Sequence, residues 1–223
     1  MRRTALAALA LVAVAPLAAC SGGPGGSGPH PGDAAVVEGQ AIALSRVDDF
    51  ADDFCALEEP GLAQQGAVLP MALLRSVAVE ALVVDELLPE FAQEQGIDIA
   101  DVRRDVRAEV RTTLADVPAE LRVAATRRLE LEGARRAVLQ VAGSRGATSA
   151  EQALALGAER FNAWRAEQDV EVDPRFGRVD LDQLQWDGAN GSLSVAADDA
   201  PAALDQKAAA ALPAEQRCGT PAA

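Results

Sequence analysis

From Pro70 to Gln95, apolar residues return every three or four positions: Met71, Leu74, Ala78, Ala81, Val84, Leu88 and Phe91 form one stripe, with further Leu and Val beside it. That spacing predicts a helix with an apolar face wide enough to be central. Gly96 ends it. The same period continues downstream. Asp98 with Asp101 opens a helix to about Asp116, and Pro118 opens a long one to Val141. Gly143 to Gly146 breaks the chain, and Ser149 with Gln152 caps a helix through Trp164 to about Gln168. Upstream, Ser45-Arg46-Val47-Asp48 has capping-box spacing and predicts a first helix from about Arg46 to Leu57, with Val47, Phe50, Ala51 and Phe54 on one face. "EEPGLAQQG", Glu58 to Gly66, interrupts the pattern and reads as a loop. A last short helix is expected around Ala202 to Ala211.

A period of two replaces this pattern at both ends of the helical region. "AAVVEGQAIAL", Ala34 to Leu44, is two short apolar runs broken by Glu38-Gly39-Gln40, a hairpin signal because Gly39 can take positive φ. "DVEVDPRFGRVDLDQLQW", Asp169 to Trp186, turns abruptly into Val-x-Val followed by Asp-Pro. A lone extended segment leaves its backbone groups unsatisfied, so Val170-Glu171-Val172 requires a partner edge. The run between Ala35 and Leu44 is the strand-like material available, and Pro174, with no N–H to donate, belongs just outside the paired section. The expected fold class is therefore mainly α: a bundle of about five helices with a small β element pairing the N-terminal and C-terminal strand segments.

At 223 residues the chain suits one domain with a real core. It is 49% hydrophobic but only 3% aromatic with no Tyr, so that core is built from Ala, Val and Leu. The formal net charge of −14 repels nucleic acid and anionic headgroups, which excludes nucleic acid as a partner class. It suits basic or apolar partners, or simply solubility.

The N-terminus carries an address. "MRRTALAALALVAVAPLAAC" joins Arg2 and Arg3 to an apolar run of about a dozen residues, too short to span a bilayer comfortably, and ends in Leu17-Ala18-Ala19-Cys20. Leu-Ala-Ala-Cys resembles the bacterial lipobox, which implies cleavage before Cys20 and lipidation of its sulfur. The alternative is an ordinary secretory signal with an incidental cysteine. "SGGPGGSGPHPGD", Ser21 to Asp33, has the composition of a flexible tether that reaches about 40 Å when extended. The domains read as a lipoprotein signal peptide over 1–19, a lipidated cysteine and tether over 20–33, a helical domain over 34–200 and an Ala-rich tail over 201–223. Export places the thiols where they oxidise, and with Cys20 acylated Cys55 and Cys218 remain to pair; a buried Cys55 with a free Cys218 is the other arrangement.

Catalytic chemistry is sparse. The one histidine, His30, falls in the tether, which argues against Ser-His-Asp or Cys-His catalysis and against a His-ligated metal. No phosphate-cradling glycine loop follows a strand, and acidic pairs such as Asp48-Asp49, Asp52-Asp53 and Glu58-Glu59 arise by chance in so acidic a chain. No cofactor, no metal and no enzymatic activity are expected.

Three stretches carry a family resemblance. "AAVVEGQAIALSRVDDFADDF", "LVVDELLPEFAQEQGIDIADVRRDV" and "FNAWRAEQDVEVDPRFGRVD" followed by "SLSVA" together resemble the N-terminal domain of SurA-type periplasmic chaperones, in the short lipoprotein version of actinobacteria. Asp-Pro-Arg-Phe-Gly is the most specific piece. No segment of parvulin size is inserted, so the resemblance implies peptide binding without isomerase activity. It implies a lipid-anchored protein on the extracytoplasmic face of the cell membrane, touching the membrane through its anchor alone. Its partners would be unfolded or partly folded exported proteins. Client contacts would fall on Leu73, Leu74, Val77, Val83, Val84, Leu87 and Leu88 of the central helix, unless these are core. A structural or adaptor lipoprotein binding one folded envelope partner is the competing reading.

Overall fold

Glu38 and Gly39 take positive φ, 47° and 76°, and so turn the chain back on itself within two residues. Strand β1 (Asp33–Val37) thereby pairs antiparallel with β2 (Gln40–Ala43), Val37 opposite Gln40 and Ala35 opposite Ile42. The computed structural model describes residues 28–176, 178–180, 185–187 and 206–221. The signal peptide, Cys20, most of the tether, "SLSVA" and residues 202–205 of the expected last helix lie outside the described residues.

Strand β2 runs directly into α1 (Leu44–Gln65). The N-cap is Ala43 and no side chain caps the helix; Leu44 N–H donates instead to the Gly32 carbonyl at 2.8 Å. The capping role expected of Ser45 is therefore corrected, because the Gly32 carbonyl just before β1 takes the first N–H of that end. The loop expected at Glu58 to Gly66 is also corrected. α1 continues through Pro60 and ends at Gly66 in the left-handed conformation, φ 61°. Burial of Leu62 and the 2.6 Å ion pair from Glu58 to Arg128 hold this turn helical against the hydrogen bond that Pro60 forfeits.

After β3 (Leu69–Pro70) come α2 (Met71–Glu94) and α3 (Ile99–Thr113). Asp98 caps α3, its carboxylate accepting from the N–H groups of Ala100 and Asp101 at 2.9 and 3.2 Å. A 3-10 turn at Ala119–Leu121 leads into α4 (Arg122–Gly143). α5 (Ala150–Arg165) starts where Ser149 Oγ accepts from Gln152 N–H at 3.1 Å. These caps and breaks are those the spacing predicts.

Strand β4 (Val170–Val172) pairs antiparallel with β1, Val37 opposite Val170 and Ala35 opposite Val172, in a sheet ordered β2-β1-β4. Pro174 stands two residues beyond the ladder, as its missing N–H requires. The fold is thus mainly helical with a small antiparallel sheet joining the two ends of the helical region. A hairpin of β5 (Arg178–Asp180) and β6 (Gln185–Asp187) follows, which the sequence pattern does not reveal. A short α6 (Gln206–Ala210) and β7 (Arg217–Cys218) then bring the chain back, and β7 pairs with β3.

Helix α2 is the centre. α1, α3, α4, α5 and the sheet all meet it, and twelve of its residues are buried. Phe91 stacks edge-on against Phe161 of α5, centroids 5.2 Å apart, and lies 5.4 Å from Trp164. Elsewhere small residues make the contacts, as the near absence of aromatics requires. A second apolar cluster, Val106, Val110, Leu114 and Ala125, joins α3 to α4.

Candidate functional site

Of the seven α2 residues expected at a client contact unless core, five are core. Leu74 (2% exposed), Val83 (0%), Val84 (4%), Leu87 (1%) and Leu88 (1%) are buried. Leu73 and Val77 keep partial exposure. The width of the stripe has a packing cause: a helix touched on several sides needs apolar residues around most of its girth. The five buried side chains therefore present no groove for a ligand, and that assignment is corrected. Among the described residues the large hydrophobic side chains left exposed are Val123 and Val141, both on α4.

Cys55 and Cys218 lie at disulfide distance, Cα atoms 5.5 Å apart. Cys55 sits mid-α1 and is partly exposed, while Cys218 is fully buried in β7. The pairing ties together residues 163 positions apart.

A cleft of about 420 Å³ lies where α1, α2, α3 and α4 converge. Its floor is apolar: Phe50 of α1, Leu82 of α2, and Leu131 and Ala134 of α4. Its walls are charged. Arg46 and Asp49 come from α1, Asp85 from α2, Arg103 and Arg107 from α3, and Arg127 and Glu130 from α4. The i, i+4 spacing puts Arg103 and Arg107 on the same face of α3, beside Val106 and Val110, the valines that pack on α4.

Most of these charges are bound to one another. Arg103 reaches Asp85 at 2.9 Å, Arg46 lies 3.6 Å from Asp85 and 2.5 Å from Glu86, and Arg127 meets Asp53 at 2.5 Å. Each pair joins two helices, so the network fixes the cleft's shape as well as its charge. Burial pushes the Asp85 carboxyl above its ordinary range, and the Arg103 and Arg46 guanidiniums pull it back only in part. Arg107, Asp49 and Glu130 make no ion pair among the described residues, leaving one cationic and two anionic groups for a ligand.

Fixed arginines, free carboxylates and an apolar floor can take a ligand of complementary charge, in a space that holds a few side chains. The sequence reading missed these groups. They come from four helices and form no linear motif; the basic pair at 103 and 107 was the one visible signal. No group of three or more His, Cys, Asp or Glu able to hold a metal occurs among the described residues, and no described helix is long and apolar enough to cross a membrane. His30 is exposed. Compared with known proteins, the chain matches no family model, no curated relative and no solved structure.

Proposed function

We propose that the protein is a lipid-anchored, extracytoplasmic polypeptide-binding module without isomerase activity, tethered through Cys20 and closer to an adaptor for one or a few envelope partners than to a general holding chaperone. One observation carries the choice between those two readings. A general chaperone needs a broad exposed apolar surface, whereas the described surface offers Val123, Val141 and a small cleft with charged walls. Charged walls over an apolar floor select a partner by complementarity, and like-charge clashes exclude others. The leader sequence supplies the address, and the resemblance to the SurA-type N-terminal domain supplies the polypeptide as ligand class.

Crosslinking the anchored protein in intact cells and identifying what co-purifies tests this directly. One or a few partners, lost when Arg103 and Arg107 are both changed to Glu, is the expected result. A broad set of unfolded exported proteins, unaffected by those changes, restores the general chaperone. An unacylated Cys20 in the mature protein, read by mass spectrometry, removes the anchor.

A further inference from the structure

The C-terminal segment 206–221 lies across the body as a strap, and what it covers is apolar. Strand β7 pairs with β3, Cys218 opposite Leu69 and Arg217 opposite Pro70. Gln206 Oε1 accepts from Val68 N–H at 3.1 Å, and Gly219 packs so closely on Leu62 that a Cβ there would touch that side chain at 3.3 Å. Leu62, Val68 and Pro70 are buried in this arrangement. The strap itself buries little of its own surface. Its helix has five residues, its ladder two, and Ala209 and Cys218 are its fully buried members, while Gln206, Lys207, Ala208 and the stretch from Pro213 to Gln216 are exposed. Segments with so little burial open at low free energy unless a covalent bond retains them.

We propose that the Cys55–Cys218 disulfide is a releasable latch, and that the edge beneath the strap is a docking site for an extended polypeptide segment which the strap occupies in the oxidised protein. This rests on the reading of the domain as a polypeptide-binding module. The occupant is argued from the strap: an extended chain that pairs antiparallel with β3, places a small apolar residue at the Cys218 position and continues through a glycine beside Leu62. The strap is thus an internal copy of the ligand.

Release is a two-electron exchange with a dithiol reductant. A reductant thiolate attacks the sulfur of Cys55, the less buried of the two; the S–S bond breaks and Cys218 leaves as a thiolate that takes a proton from solvent. The second thiol of the reductant then attacks the mixed disulfide, Cys55 departs as a thiol, and the reductant ends as a disulfide. Both cysteines are reduced and the strap is held by its noncovalent contacts alone.

Hydrogen exchange of the full chain, oxidised and reduced, is the first test. The expected result is that protection falls at least tenfold in 67–71 and 206–221 while α2, α4 and α5 keep theirs. Unchanged protection, or a uniform loss across the helices, overturns the latch. The second test uses the full-chain double variant Cys55→Ala, Cys218→Asp, in which a carboxylate aimed into a fully buried position keeps the strap from seating. A synthetic peptide with the sequence of residues 213–221 and alanine at the Cys218 position is expected to bind this variant at least tenfold more tightly than the oxidised wild type. Equal binding to the two proteins, or strap release without peptide binding, overturns the docking site. Partner capture by the oxidised, anchored protein is a separate readout, so the broader reading stands or falls independently.

Discussion

Gly143 and Gly157 face one another where α4 crosses α5, so closely that a Cβ on either would stand 1.9 Å from a backbone oxygen of the other helix, Ala153 for Gly143 and Leu139 for Gly157. No side chain can yield there, because the obstacles are backbone. Gly157→Ala is expected to push the helices apart and destabilise the domain by about 3 kcal/mol, measured by urea denaturation with an unchanged slope. Gly61 gives the internal comparison. It lies inside α1 with nothing near its virtual Cβ, so Gly61→Ala removes a flexible residue from a helix and is expected to stabilise by about 0.8 kcal/mol. If the two substitutions act alike, the α4–α5 crossing is looser than these 1.9 Å approaches require.

The ladder between β1 and β4 closes the helical region on itself. Glu38 N–H donates to the Asp169 carbonyl and Asp173 N–H to the Ala34 carbonyl, both at 2.9 Å, and since hydrogen-bonded pairs alternate along an antiparallel ladder, Glu171 with Val36 is one as well. Glu171→Pro deletes a donor in the middle of that ladder. The expected cost is about 2 kcal/mol, with faster amide exchange in 34–37. Unaltered exchange at those amides would refute the pairing.

What the sequence disclosed and what it concealed divides along physical lines. Caps at Asp98 and Ser149 were legible because each bond spans two or three residues. The β1–β4 pairing was legible because orphan backbone groups demand a partner and little else was strand-like. Pro60 misled because its local preference is overridden by contacts 70 residues away, where Arg128 holds Glu58. Ser45 misled because the cap it offers is redundant beside the Gly32 carbonyl. The α2 stripe was legible as central, but its period could not divide client contact from core, because the same residues face four other helices and a sheet. Of the cleft, the basic pair at 103 and 107 was all that showed: Arg46, Asp85, Arg103 and Arg127 converge only after those helices pack.

Two carboxylates should carry opposite pH signatures. Burial raises Asp85 above its ordinary value of 3.8, so the native state holds that proton to higher pH than the unfolded chain. Its contribution is fully present below about 3.8 and is lost as pH rises through the folded value. Asp173 is lowered from 3.8 chiefly by its hydrogen bond with Arg175, so its contribution is present above that range and is lost as pH falls through the folded value. Carboxyl carbon NMR is expected to place the Asp85 midpoint above 3.8 and that of Asp173 below it. Arg103→Ala removes the larger attractive charge on Asp85 and is expected to move its midpoint further up; an unchanged or lower midpoint would show that the Arg103 pair does not stabilise the ionised form.

Ser76 is the buried polar residue of the described core, 4% exposed, and its hydroxyl donates to the Phe176 carbonyl with the Ala72 carbonyl 3.1 Å away. This bond fastens the turn after β4 to the central helix, 100 residues earlier. Phe176 is itself buried, so its carbonyl has poor access to water once the hydroxyl is gone. Ser76→Ala is therefore expected to cost about 1.5 kcal/mol, more than an exposed serine in a helix would, even though Ala is the better helix former. Ser76→Cys keeps the shape and a weak donor and should fall between the two. The loss should be felt at β4 as well, since the turn that Phe176 anchors sets where Val172 leaves the sheet; exchange at Val170 and Val172 is expected to rise in step with the fall in stability. Should Ser76→Ala melt at the wild-type temperature, the closure of the fold is carried by the β1–β4 ladder without this bond.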